Sequence, residues 1–259
     1  MNMLIEVLAD ELIEAERSKQ PITPLTQRYS ELNTTDAYQI QLAVMEKKRK
    51  EGRQIIGKKV GLTSRAMQEM LGVDEPDYGH LFDDMQVSDG GVVKISDLVC
   101  PKVEAEIGFI LGQDLIGPNV NYLDVLMATK YVVPTIEIID SRIADWKIQL
   151  VDTVADNGSS AKVVVGKKLS TLDGLDLRSV GMVLYNNGEL EATGAGAAAL
   201  GHPAQAVAWL ANKLHKFGIG LKAGELILPG ALSGALTVKQ GDTISAHFGS
   251  LGSVSVTFE

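Results

Sequence analysis

Apolar and polar positions change period along this chain. Near the start Leu4, Leu8 and Leu12 recur every four residues with Val7 beside them, which predicts one face of a helix over 3–18. Pro21 and Pro24 end it. Asn33-Thr34-Thr35-Asp36 supplies cap chemistry for a second helix through Ala37, Ile40, Ala43 and Val44, closing on Lys47-Lys48-Arg49-Lys50 before Gly52. Basic residues in a last turn favour the helix dipole, so this run reads as a solvated helix end. From Gln54 onward short apolar runs dominate. Strands are predicted over 54–62, 92–95, 103–111, 131–139, 180–185, 189–192, 226–228, 243–248 and 254–258.

Between these runs, Ser64 reads as the cap of a short helix from Arg65 to Leu71, and Glu75 to Gly79 as a turn-rich loop. Asn121 reads as the cap of a helix over 122–130. Asn186-Asn187-Gly188 is a hairpin signal. His202-Pro203 opens a helix whose buried face carries Val207, Leu210, Ala211 and Leu214. The segment 150–160 has weak periodicity and reads as an ordered loop. Gly194 to Gly201 is too small-sided for a core strand and lacks the spacing of a dinucleotide fingerprint. No repeat or linker interrupts the chain. The pattern predicts an α+β fold in one domain over 1–259, with a helical section over 1–52 and a β-rich body over 53–259.

Composition narrows the field. The 259 residues can bury a large core without disulfides, and the lone Cys100 reads as a small core residue in a reducing, cytoplasmic setting. A net charge of -9 argues against nucleic acid as a partner. No apolar run approaches the ~20 residues of a spanning helix, so no membrane is expected, and the acidic N-terminus lacks the basic region of a signal peptide.

The candidate chemistry is carried by acids in apolar strands. Glu104 and Glu106 alternate on one strand, so they share a face and stand roughly 6.5–7 Å apart, and Glu137 lies near the end of another apolar run. Lone carboxylates in buried strands are costly unless neutralised. A divalent cation with oxygen ligands, Mg²⁺ or Mn²⁺, is the simplest neutraliser. The alternative is a solvated face for Glu104 and Glu106, with Glu137 paired to Arg142 or a lysine. Lys59, flanked by Gly57 and Gly61, has room for a ligand beside the backbone, or is merely exposed at a bulge.

Several segments together resemble the 2-hydroxypentadienoate (2-oxopent-4-enoate) hydratases of the fumarylacetoacetate hydrolase superfamily. They are Ile56 to Ser64 (IGKKVGLTS), Leu71 to Gly79 (LGVDEPDYG), Glu104-Ala105-Glu106-Ile107, Asp140 to Ile143 (DSRI), Asp145 to Ile148 (DWKI), Val151 to Asn157 (VDTVADN) and Gly194 to Ala198 (GAGAA). The resemblance covers nearly the whole chain. It implies a mixed β-roll with an N-terminal helical section, and a Mg²⁺ or Mn²⁺ ion on Glu104, Glu106 and Glu137. It also implies Lys59 and Asp77 as proton-handling residues, with Leu62, Ser159 and Ser160 near the substrate. Gly158-Ser159 stands where relatives carry Ala-Ser, which loosens the inference for the two serines.

The activity implied is hydration of 2-hydroxypenta-2,4-dienoate to 4-hydroxy-2-oxopentanoate in aromatic meta-cleavage catabolism. A lysine beside the cation is expected to have its ammonium form disfavoured. The resemblance also implies a homo-oligomer, possible association with a pathway decarboxylase or aldolase, and no nucleic-acid or membrane partner. 4-Oxalocrotonate (2-oxo-3-hexenedioate) decarboxylation is the alternative activity. A catalytically silent metal-binding scaffold is the alternative of another class, and the presence of both Lys59 and Asp77 weighs against it.

Overall fold

The computed structural model describes residues 3–65, 68–69 and 72–259. Four positions of the expected 65–71 helix lie outside the described residues. Helix α1 (Met3–Ser18) and helix α3 (Thr34–Lys50) pack side by side, with the single-turn helix α2 (Leu25–Arg28) between them in sequence. α1 buries Ile5, Leu8, Ala9 and Leu12, while Val7 faces solvent. α3 begins in a capping box. The Asn33 side chain accepts from the amides of Thr35 (2.8 Å) and Asp36 (3.1 Å), and Asp36 accepts from the Asn33 amide.

The basic end of α3 departs from the expected solvated tip. Lys47 bridges to Glu6 (3.0 Å) and Asp10 (2.8 Å), and Lys48 is buried against Glu16 at 2.6 Å. Lys47 and Lys48 therefore tie α3 to α1, while Arg49 and Lys50 stay solvated as expected. The α1 partners lie 32–41 positions away, and local periodicity carries no information about them.

The body consists of two sheets. One contains β1 (Ile55–Gly61), β2 (Asp77–Phe82), β3 (Gln86–Ser88), β5 (Lys102–Leu111), β6 (Thr129–Ile139), β7 (Ser160–Val165), β10 (Leu226–Leu228) and β11 (Leu236–Thr237). Its order is β2-β1-β10-β5-β6-β7-β3, and β11 also pairs with β5. The other has the order β4-β13-β12-β8-β9, with β4 (Gly91–Val93), β8 (Gly181–Asn186), β9 (Glu189–Ala195), β12 (Thr243–His247) and β13 (Ser253–Phe258). β12 and β13 lie against β6 and β7, so the two sheets share a core. Asn187-Gly188 turns β8 into β9, as the hairpin signal predicts. This is the α+β fold expected of the sequence, with the helices leading. Among the described residues no helix is long and apolar enough to cross a membrane.

Helix α4 (Tyr122–Ala128) packs on helix α6 (Pro203–His215), where His202 caps with Nδ1 accepting from the Ala204 amide at 3.0 Å. Two local expectations fail. Asp77-Tyr78-Gly79 is not a loop but the start of β2, paired with β1. Segment 150–160 contains helix α5 (Leu150–Ala155), which packs on α3, and the first residue of β7. The sequence Leu-Val-Asp-Thr-Val-Ala is poor in helix formers. Buried Asp152 holds it instead, accepting from the amides of Gln149 (3.0 Å) and Thr26 (3.1 Å) and from the Thr26 hydroxyl (2.7 Å). Cys100 is also corrected: it is exposed rather than a core residue.

Candidate active site

β5 and β6 pair antiparallel with Glu104 directly opposite Glu137 and Glu106 opposite Thr135. That register brings the three carboxylates to one face, with one oxygen of each within 4.8 Å of the others. Glu106 and Glu137 are fully buried, and Glu104 is partly so. Oxygens on opposite sides of one ion bound at 2.0–2.6 Å lie about 4–5 Å apart, so the spacing suits a single divalent cation.

Lys59 reaches the same face from β1. It is 2% exposed, not the surface residue that local reading allowed. Its ammonium donates to the Gly158 carbonyl at 2.9 Å and lies 3.6 Å from both Glu137 Oε2 and Asp77 Oδ1. Asp77 sits opposite Gly61 in the β1–β2 ladder, and its Oδ2 accepts from the Thr153 hydroxyl at 2.7 Å. Gly61 is obligatory for this meeting. A Cβ there would stand 2.2 Å from Asp77 Oδ1 and 2.7 Å from Lys59 Nζ. Arg142, the other partner considered for Glu137, pairs with Asp156 instead.

Four carboxylates and one ammonium converge, leaving three formal negative charges in a buried space. Burial pushes Glu104 up to about 7, with Lys59 opposing and Glu137 and Asp77 adding. Burial and the neighbouring Glu137 and Glu104 hold Glu106 well above the usual carboxylate range, and burial raises Glu137. Burial acts against the Lys59 charge, yet Asp77, Glu137, Glu104 and Glu106 together outweigh it and raise Lys59. The carboxylates thus stabilise the ammonium, and a cation held among them would act in the opposite direction.

Polar satisfaction gives an independent test of the cation. Glu106 Oε2 accepts from the Gly230 amide at 2.7 Å, but its Oε1 has no partner. Neither oxygen of Glu137 has a hydrogen-bond partner of ordinary geometry, and Asp77 Oδ1 has none. Orphaned buried carboxylate oxygens are costly and rare. An all-oxygen set of this kind fits a hard divalent ion.

The remaining sequence candidates divide. Ser160 opens β7, and its hydroxyl is buried without a regular partner. The Ser159 hydroxyl instead faces Asp156, donating to Oδ2 at 3.1 Å. Leu62 follows Gly61 with a left-handed φ of 56°, and its carbonyl accepts from Gln68 Nε2 at 2.7 Å. Reading the sequence missed the Gly158 carbonyl, the Gly230 amide and Thr153. Thr153 stands in one of the quoted segments, and Pro229-Gly230 marks a turn, but neither signal says where the atoms point.

Comparisons with known proteins follow this geometry. The family described as fumarylacetoacetate (FAA) hydrolase, C-terminal, matches residues 87–259. The chain is 49% identical over 254 residues to 2-keto-4-pentenoate hydratase of Paraburkholderia xenovorans, covering 98% of this chain and 94% of the relative. It is 43% identical over 251 residues to 4-oxalocrotonate decarboxylase of Pseudomonas putida, covering 97% and 95%. A solved 4-oxalocrotonate decarboxylase from Pseudomonas putida G7, complexed with magnesium and adipate, superimposes with a TM-score of 0.97 at 40% identity, covering 100% of this chain and 98% of that one.

Proposed function

The chain belongs to the fumarylacetoacetate hydrolase family, and from that premise we propose that it is a divalent-metal-dependent hydratase. It adds water to 2-hydroxypenta-2,4-dienoate (2-oxopent-4-enoate) and releases 4-hydroxy-2-oxopentanoate. The observation that carries this reading is the buried Glu104–Glu106–Glu137 trio with orphaned oxygens, set beside an ammonium and a half-satisfied aspartate.

In this reading Glu104, Glu106 and Glu137 hold Mg²⁺ or Mn²⁺. The bound ion supplies Lewis acidity and positive charge for the substrate carboxylate and 2-oxygen. Lys59 commits one N–H to Gly158 and delivers a proton from another to C5 of the dienol, while the 2-hydroxyl proton returns to the amine, leaving an enone. Asp77 Oδ2 is fixed by Thr153 while Oδ1 is free to accept, so it takes a proton from the water whose oxygen adds at C4 and returns that proton to C3. Ser160 and the Leu62 backbone border the substrate, and Ser159 contributes through the backbone that its hydroxyl bond fixes. In the same reading the protein works in the cytoplasm as a homo-oligomer in an aromatic meta-cleavage route, in association with the decarboxylase or aldolase of that route.

Decarboxylation of 2-oxohex-3-enedioate needs the same cation site, and a decarboxylase is among the similar proteins. One assay separates the two readings. The chain is given 2-hydroxypenta-2,4-dienoate with Mg²⁺, and 2-oxohex-3-enedioate separately, and products are weighed by mass spectrometry. Gain of one water on the first substrate supports hydratase. Loss of CO₂ from the second, with the first unchanged, replaces it with decarboxylase. No turnover of either leaves a scaffold.

A further inference from the structure

Lys59 Nζ donates to one backbone carbonyl, that of Gly158, and the turn carrying it is unusual. Asn157, Gly158 and Ser159 are three consecutive residues with left-handed φ, at 59°, 59° and 53°. Two of them carry side chains, so local preference does not hold this backbone in place. What holds it is buried charge. Arg142, 5% exposed, donates from Nε to Asp156 Oδ1 at 2.7 Å and from one terminal nitrogen to the Asp156 carbonyl at 2.5 Å. Its other terminal nitrogen donates to the carbonyls of Asp140 (2.5 Å) and Ser160 (3.2 Å).

Asp156 Oδ2 accepts from the Arg142 amide (3.1 Å) and the Ser159 hydroxyl (3.1 Å), and the Ser159 amide donates to the Asp156 carbonyl at 2.9 Å. Arg142 therefore grips the chain at 156 and 160, on both sides of the turn. Among the described residues, neither Asp156 nor Arg142 forms a hydrogen bond or ion pair with Glu104, Glu106 or Glu137. The turn also lies close to the lysine: a Cβ on Gly158 would meet Lys59 Cδ at 3.0 Å and Nζ at 3.2 Å.

We propose that Asp156 and Arg142 are positioning residues that act through Lys59, locking the left-handed Asn157–Ser159 turn so that the Gly158 carbonyl aims the ammonium at the substrate. This rests on the proton-delivery role given to Lys59 above. Displacing a reacting group by about 1 Å costs on the order of 10²-fold in rate.

A double-mutant cycle tests it. In the full-length protein with saturating Mn²⁺ and substrate, Asp156→Asn is expected to lower kcat by about 10²-fold. Mn²⁺ affinity, read by calorimetry, is expected to stay within a factor of about two. Lys59→Ala/Asp156→Asn should be no slower than Lys59→Ala alone. A purely structural role would make the two losses multiply or would lower Mn²⁺ affinity, and either result overturns the proposal. Should Asp156→Asn fail to fold, Ser159→Ala removes one hydroxyl bond to the same carboxylate. It is expected to lower kcat about fivefold in the wild-type background and not at all beside Lys59→Ala. An equal loss in both backgrounds, or no loss in either, overturns the proposal. A fully active Lys59→Ala would sink the reading of Lys59 itself. An inactive Lys59→Ala with a fully active Asp156→Asn would sink this inference alone.

Discussion

Glu104 and Glu137 stand directly opposite one another across the central β5–β6 ladder, with Glu106 two residues along on the same face. Like charges facing across strands are destabilising. Burial strengthens the penalty; Lys59 offsets it at all three glutamates, and Lys102 adds to the offset at Glu104. A divalent ion relieves it directly. At about 100 times its Kd, Mg²⁺ or Mn²⁺ should add about 2.7 kcal/mol, raising Tm by about 5–10 °C. Glu106→Gln should lose most of that gain together with metal-dependent turnover. A thermal scan with and without the ion checks it, and an equal rise in Glu106→Gln would remove Glu106 from the ligand set.

Lys59→Ala should lower kcat by about 10²–10⁴-fold while leaving metal affinity nearly unchanged. Steady-state kinetics alongside Mn²⁺ calorimetry separate the two effects. A wild-type rate would exclude Lys59 from proton transfer.

Gly61→Ala tests whether the Lys59–Asp77 meeting matters for turnover. The new methyl would fall 2.2 Å from Asp77 Oδ1 and 2.7 Å from Lys59 Nζ, so one of the two must move. Turnover is expected to fall by at least about tenfold. Retained folding by circular dichroism, with retained activity, would show that the pair tolerates separation.

His80 provides a pH signature away from the carboxylate trio. Buried Gln41 donates from Nε2 to the carbonyls of Tyr78 (2.9 Å) and Val154 (2.6 Å), so its Oε1 accepts from His80 Nδ1 at 2.9 Å. Burial and then the Lys58 charge push His80 down to about 3. The folded pKa lies below the unfolded value of about 6.5, so the unfolded chain binds this proton first. The contribution is complete above about pH 6.5 and is lost as pH falls from there toward about 3. Relative to His80→Asn, wild type should lose about 2 kcal/mol between about pH 7.5 and about pH 5. Denaturant titrations at the two pH values measure this, and parallel stabilities would contradict it.

Periodicity and cap chemistry alone located α1, α3, α6 and most strands, because each rests on interactions within a few residues. Alternation placed Glu104 and Glu106 on one face for the same reason. Partners distant in sequence were decided only by the fold. β2 was hidden because Glu75-Pro76-Asp77 looks like a turn until β1 pairs with it. α5 was hidden because a buried Asp152, not propensity, holds it. Lys48 and Cys100 were misplaced because burial is set by packing from elsewhere. The sequence by itself determined the candidate residues, and that Glu104 and Glu106 share a face, because alternation along one strand is local. The tertiary structure decided that Lys59, Asp77 and the three glutamates meet, that Arg142 serves Asp156 rather than Glu137, and that Ser159 turns away. The meeting is set by strand register and sheet order between segments far apart in sequence, and the other two by the turn that packs Asp156 against Arg142 and Ser159, and no apolar period encodes either.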